Sequence, residues 1–206
     1  MLSSLIDYWL KLLTILTGIA VILIPLLGFR HAQTHIRGRN SGAAARLLRW
    51  PVMLIQTLLF VGVGIALWYP LPIVLSPGMH LIMLIAGSLL YFLGISLYLW
   101  GYRTLGRMFS ISSGLGATLY QDHRLIRIGP YRFVRHPMYL AVILAASGAL
   151  LIFRTWAMVL FSVLSLGVIL RAWREERLLG EEFGEEWENY KQQVSGWLPG
   201  FRKRVK

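Results

Sequence analysis

Cysteine is absent from this 206-residue chain. Its absence removes disulfides, thiolate nucleophiles, Cys-ligated zinc and iron–sulfur clusters together. Charge is scarce as well: 15% of residues are Asp, Glu, Lys or Arg against 56% hydrophobic, and mean hydropathy is positive. That balance is too apolar for a soluble domain of this length, so the chain reads as a membrane protein. Charge is missing altogether from Leu12 to Phe29, Pro51 to Tyr102, Pro137 to Phe153 and Thr155 to Leu170. A cleavable leader is not evident either, since the first apolar run is long, is flanked by one Lys and one Asp, and is followed by no small-residue cleavage site. Repeats and low-complexity tracts are lacking. The nearest thing to a linker is the polar-to-small stretch Gly38 to Ala45.

What is present is a series of long apolar runs. At ~1.5 Å per residue, Trp9 to Phe29 reaches about 31 Å and matches a hydrocarbon core of about 30 Å. The long middle run holds two spans, because Tyr69-Pro70-Leu71-Pro72 and Ser76-Pro77-Gly78 interrupt any single helix. They are placed at about Pro51 to Trp68 and His80 to Gly101. Met138 to Phe153 and Thr155 to Leu170 are shorter and form a tight helical hairpin with Arg154 between them, a charge that snorkels if the hairpin is to span fully. The expected fold class is all-α integral membrane, with about five transmembrane helices and a cytoplasmic C-terminal helical tail. It forms a single membrane domain over 1–206, with the first three helices in 1–101 and a catalytic half in 102–206.

The placement of charge predicts an orientation. Arg30 to Trp50 carries five Arg and no acid, Gly101 to Pro137 six Arg, and the tail from Arg171 eight Lys or Arg. With five alternating helices, 19 of the 21 cations fall on one side, leaving Lys11 and Arg154 on the other. The positive-inside rule then puts the tail and the Arg135-His136-Pro137 segment in the cytoplasm and the N-terminus outside, as in a bacterial inner membrane. The net charge of +12 is thus topology, and no nucleic-acid partner is expected.

Two polar clusters flank the last apolar runs. The first is Gly129-Pro130-Tyr131-Arg132-Phe133-Val134-Arg135-His136-Pro137-Met138-Tyr139-Leu140, and the second is Arg171-Ala172-Trp173-Arg174-Glu175-Glu176-Arg177. Ionisable groups at a lipid boundary are expensive to desolvate and mark candidate functional residues. Seven of the nine acids lie between Glu175 and Glu188. If the last span continues as a helix to about Gly180, Arg171 and Glu175 stand one turn apart with Leu178 on the same face. Glu181, Glu182, Glu185, Glu186 and Glu188 read instead as a solvated, salt-bridged surface. Other features have bland readings. His31 and His35, one turn apart in a basic loop without acid or Cys, are expected to be solvated, and no metal site is expected. His80 reads as an interfacial anchor, Gly114-Leu115-Gly116 as loop flexibility, Gly62-Val63-Gly64 as helix packing, and most Trp and Tyr as interfacial belt or core.

His123-Arg124-Leu125-Ile126, Gly129-Pro130-Tyr131-Arg132 and Arg135-His136-Pro137-Met138-Tyr139 together resemble the signature of the isoprenylcysteine carboxyl methyltransferase family of integral membrane enzymes, which is related to the phospholipid methyltransferases. The tail residues Glu175-Glu176-Arg177-Leu178-Leu179, Phe183-Gly184-Glu185-Glu186-Trp187, Tyr190 and Trp197-Leu198-Pro199 are similar to the same family's C-terminal pattern. The resemblance covers about Leu105 to Pro199. It implies S-adenosyl-L-methionine as cofactor, bound at the cytoplasmic edge of the last helices. The implied cofactor contacts are His123, Arg124, Leu125, Ile126, Tyr131, His136, Pro137, Met138, Tyr139 and Glu175, with Arg171 at the position that meets the methyl acceptor. Arg171, Glu175 and His136 carry the implied catalysis. A further polar cofactor contact expected before His123 has no clear counterpart, and Gln121 and Thr118 are candidates.

The residue chemistry agrees with that implication. The cofactor presents an ammonium, a carboxylate, a ribose diol and an adenine face, which call for a carboxylate, a cation or dipoles, and an aromatic wall. Glu175, His136 with Arg135, and Tyr131 or Tyr139 are of those types. Methyl transfer from a sulfonium to a carboxylate removes both charges, so a site shielded from water favours it. An anionic acceptor needs no general base, whereas an ammonium acceptor must first lose a proton, for which His136 or Glu175 is placed. The expected reaction is methylation of a lipophilic acceptor entering from the bilayer, a carboxylate first, as in isoprenylcysteine O-methylation. Two other classes compete. Membrane sterol reductases using NADPH share a similar Arg-His-Pro-x-Tyr turn but are far longer, and a non-enzymatic membrane subunit would use the boundary charges as anchors.

Overall fold

The computed structural model describes residues 2–32, 50–106 and 124–200. Thr118, Gln121, His123, Gly114-Leu115-Gly116, His35 and the Gly38 to Ala45 stretch lie outside the described residues, as does the side chain of His31. The described chain is helical and without named strands: α1 (Leu2–Ala32), α2 (Trp50–Ala66), α3 (Pro77–Leu105), a 3-10 turn (Gly129–Arg132), α4 (Pro137–Phe153), α5 (Trp156–Ser165), α6 (Gly167–Phe183) and α7 (Glu185–Gln193).

Local chemistry sets these boundaries. Ser76 caps α3, its hydroxyl accepting from Met79 N at 3.3 Å, and Pro77 occupies the first turn, where its missing N–H costs nothing. Thr155 caps α5 in the same way, accepting from Met158 N at 3.4 Å. The run expected as one helix over Thr155 to Leu170 is divided at Leu166. Ser165 Oγ donates back to Ser162 O at 2.7 Å and Gly167 follows, a pair of weak helix-formers at one turn. Beyond it α6 continues to Phe183, slightly past the expected end near Gly180.

Two helices are long and apolar enough to cross a membrane, Pro77–Leu105 and the nearly continuous Trp156–Phe183. Their surroundings point the same way. Leu58, Ile65 and Leu89 are 63%, 71% and 69% exposed, an arrangement that costs free energy in water and none in lipid.

The centre is the antiparallel pair α3 and α4. Gly148 backs onto the Tyr91 and Gly87 backbone, and a Cβ on Gly94 would lie 2.7 Å from both Ala141 O and Ala145 N. Small residues therefore let the two helices approach backbone to backbone, the membrane alternative to a hydrophobic core. Leu84, Tyr91 and Ile152 are buried at this seam. Helix α1 joins through Tyr91, whose hydroxyl donates to Thr14 O at 2.7 Å. Because α4 spans about 25 Å, the pair has two well-separated ends, one at Arg154 and one at His136.

Candidate active site

The His136 end is built from a turn that cannot continue as helix. Gly129 adopts φ +58°, and a Cβ there would meet Thr104 Oγ1 at 2.6 Å, so the chain can turn here only without a side chain. The 3-10 turn then buries Pro130 and Tyr131, and Pro137 starts α4 with His136 just outside it. The C-terminal segment clamps this turn. Arg135 N donates to Ser195 O at 2.8 Å, His136 N donates to Gly196 O at 3.1 Å, and Tyr190 Oη donates to Tyr131 O at 2.6 Å.

Two adjacent glutamates on α6 reach into the turn, and each takes a different partner because successive helical residues point about 100° apart. Tyr139 Oη donates to Glu175 Oε2 at 2.6 Å, and the Arg171 guanidinium lies 5.8 Å from the Tyr139 ring centre. Glu176 Oε1 lies 2.8 Å from His136 Nε2 and 3.3 Å from an Arg135 guanidinium nitrogen. His136 is 5% exposed, stacked on Tyr139 at 5.6 Å and 20°, with Trp197 at 5.6 Å on a more tilted plane. Arg135 lies over the Trp187 ring at 5.8 Å. Its Nε and Nη1 are buried without a hydrogen-bond partner among the described residues.

Burial, and next the nearby Glu175 carboxylate, push the Tyr131 hydroxyl well above the usual phenol range. Burial pushes Tyr190 up to about 12 against the pull of Arg135 and Arg127. Both phenols are therefore donors, not bases, near neutral pH.

His136, Tyr139, Arg171 and Glu175 come together around one point, with Tyr131 close enough to feel the Glu175 charge. Pro137 is fully buried, and Met138 packs against Gly101 of α3, where a Cβ would meet its Cγ at 2.7 Å. Leu125 and Ile126 are half-buried, Arg124 is exposed, and His123 falls outside the described residues. Glu181, Glu182, Glu185, Glu186 and Glu188 are all exposed as expected, although Glu186 also accepts from Arg127 at 2.8 Å.

Sequence reasoning gave Glu176 no role of its own, and it gave none to Trp197 or Arg127. Glu176 sits 40 residues from His136, and no local spacing links such a pair. Trp197 was visible as an aromatic of the tail without any sign of what it covers.

A helical membrane protein with a polar, aromatic-lined cluster at one end of its central helix pair is the class this geometry defines. The phospholipid methyltransferase family model matches residues 82–186, just over half of the chain, and the chain belongs to that family. The isoprenylcysteine carboxyl methyltransferases are related to it. Among curated proteins no relative matches. Membership makes the chain a membrane methyltransferase and implies S-adenosylmethionine as the methyl donor.

The residues fit that donor. The unpartnered Arg135 N–H groups suit its carboxylate, Glu175 its ammonium, and the His136, Tyr139 and Trp197 rings its adenine or sulfonium.

Proposed function

We propose that this protein transfers the methyl group of S-adenosylmethionine to a lipophilic acceptor that enters from the bilayer, and that the accepting group is a carboxylate held by Arg171. One observation carries the reading: Arg171, Tyr139 and Glu175 converge beside the His136–Glu176 pair, where α4 and α6 leave the apolar region. His136, Tyr131, Tyr139 and Glu175 hold the cofactor, and the family resemblance adds His123, Arg124, Leu125, Ile126, Pro137 and Met138 to its contacts. When bound, S-adenosylmethionine would supply an electrophilic methyl to the acceptor oxygen, the C–S electron pair leaving with sulfur as the C–O bond of the ester forms. Arg171 aligns the acceptor, and the buried aromatic walls exclude water, which favours a step that consumes two opposite charges. No residue of the chain has to move a proton.

In this reading five helices cross the membrane, with the His136 end and the C-terminal tail in the cytoplasm and the Arg154 end outside, as the cation distribution favours. The first 101 residues serve as scaffold and the remainder as the catalytic half.

A second reading has an observation of its own. The family is that of phospholipid methyltransferases, and Glu175 accepts from a phenol at the site. An ammonium acceptor would meet a carboxylate there, able to take the proton that an amine must lose before attack. Incubating the protein in vesicles with methyl-deuterated S-adenosylmethionine separates the two. A labelled methyl on a prenylated thioether carboxylate supports the first reading, and one on a phospholipid amine moves the assignment to the second. Binding of NADPH with no binding of S-adenosylmethionine by calorimetry would remove both.

A further inference from the structure

We infer that Glu176 is a positioning residue of the cofactor site: its carboxylate fixes which nitrogen of His136 carries the proton and holds the ring and the Arg135 guanidinium in register. The inference rests on the proposed function, in which His136 touches the cofactor.

A carboxylate only accepts, so a 2.8 Å contact from His136 Nε2 to Glu176 Oε1 requires the proton on Nε2. The backbone does not supply this constraint. His136 stands at the N-terminal boundary of α4 without a side-chain cap bond, so its ring is not consumed by the helix end. Its N–H is held by Gly196 O, which fixes the main chain and leaves the ring's rotation open. Stacking on Tyr139, with Trp197 on a more tilted plane, then selects the ring plane but not which edge faces which way. Glu176 selects the edge.

The same oxygen, Oε1, also meets Arg135 at 3.3 Å, so one atom ties together two successive residues of the turn. With the side chain of Glu176 21% exposed and that of His136 4%, the contact lies where charge-assisted hydrogen bonds are stronger than at a free surface. The neighbouring glutamate does a different job. Glu175 meets Tyr139 and the Arg171 side of the cluster, so the pair divides between the acceptor side and the His136 side.

Three variants test this in the full-length protein in detergent: Glu176→Ala, Glu176→Gln and, as control, Glu181→Gln on the exposed face of α6. Ring nitrogen-15 NMR of histidine-labelled protein, assigned with His136→Gln, reports the protonated nitrogen. Calorimetry and kinetics with S-adenosylmethionine report the site. In wild type and Glu181→Gln the Nε2-protonated form of His136 is expected. Glu176→Ala loses that preference and weakens S-adenosylmethionine at least about tenfold, the worth of one charge-assisted hydrogen bond, with the acceptor KM unchanged. Glu176→Gln, whose amide oxygen still accepts, restores the Nε2-protonated form and most of the affinity.

An unaltered tautomer in Glu176→Ala overturns the inference. So does a loss of thermal stability with unchanged affinity in the folded fraction, because that is the signature of a structural role. If wild type fails to bind S-adenosylmethionine, the proposed function falls, while the tautomer comparison still decides whether Glu176 positions His136.

Discussion

The two ends of the α3–α4 pair use nearly the same residue types to opposite effect. At one end a histidine bridges a carboxylate and an arginine, and at the other a carboxylate bridges a histidine and an arginine. At the Arg154 end, Arg154 Nη2 lies 3.0 Å from His80 Nδ1, and His80 Nε2 lies 3.4 Å from Asp7 Oδ1, while Lys11 pairs with the other Asp7 oxygen at 2.6 Å. Arg can only donate, so His80 accepts from it and serves as a bridge between two helices and a hairpin. The side chain of His80 is 38% exposed, whereas that of His136 is 4% exposed, stacked on Tyr139 and close to the Trp197 ring. The same chemical parts make an anchor where they are wet and loosely spaced. They make a candidate site where they are buried, aromatic-walled and doubly supported by adjacent glutamates.

The largest change would break both ends at once. Gly148→Val would place a side chain against the backbone of Tyr91 and Gly87, which cannot yield without separating α3 from α4. A cost of about 3 kcal/mol or more is expected, visible as loss of a monodisperse peak and of the thermal transition in detergent. Next comes a change confined to the His136 end. Glu175→Ala should lower kcat/KM by about a hundredfold, since it leaves Tyr139 without its acceptor and removes a charge from the site. Melting temperature should stay near that of wild type, because Glu175 lies toward the wet part of α6. Equal loss of folding would instead make this end structural, like the other. Arg171→Ala is expected to be milder and of a different kind: the acceptor KM rises about tenfold with S-adenosylmethionine affinity retained, read by separate titrations of the two substrates.

These contrasts also show what was legible from sequence. Charge-free runs and the Tyr69-Pro70-Leu71-Pro72 break located the helices, because desolvation of charge and the missing proline N–H act on a residue wherever it packs. Residues that meet within the His136 turn were legible for the same reason: a Pro-started helix fixes His136 and Tyr139 on adjacent turns. What depends on rotation about a helix axis was not. Nothing in Arg171-Ala172-Trp173-Arg174-Glu175-Glu176 says which glutamate will face His136, since that is set by how α6 docks. The break at Leu166 escaped notice because its causes, one serine back-bond and one glycine, are each ordinary inside a membrane helix. The seam glycines went unmarked in the sequence, because the partners of Gly87, Gly94 and Gly148 follow only from the antiparallel register.

Arg154→Gly is expected to change least, because it combines two opposed contributions. Arg154 is the described non-glycine residue with positive φ, at +50°, and its carbonyl accepts from Leu71 N at 2.7 Å. Arg154→Gly removes the donations to His80 and to Leu151 O, together about 2 kcal/mol at half-exposed positions. It also relieves a left-handed backbone that costs an L-residue about 1–2 kcal/mol. The two nearly cancel, so a melting shift of only a few degrees is expected. Both substrate KM values and kcat should stay at wild-type levels, because about 25 Å of helix separates Arg154 from His136 and no shared side chain links them among the described contacts. Arg154→Ala keeps the strained backbone and loses the same bonds, so it should melt lower than Arg154→Gly. If instead Arg154→Gly changes kcat while Arg154→Ala does not, backbone geometry at the hairpin is transmitted along α4, and the two ends are one device rather than an anchor and a site.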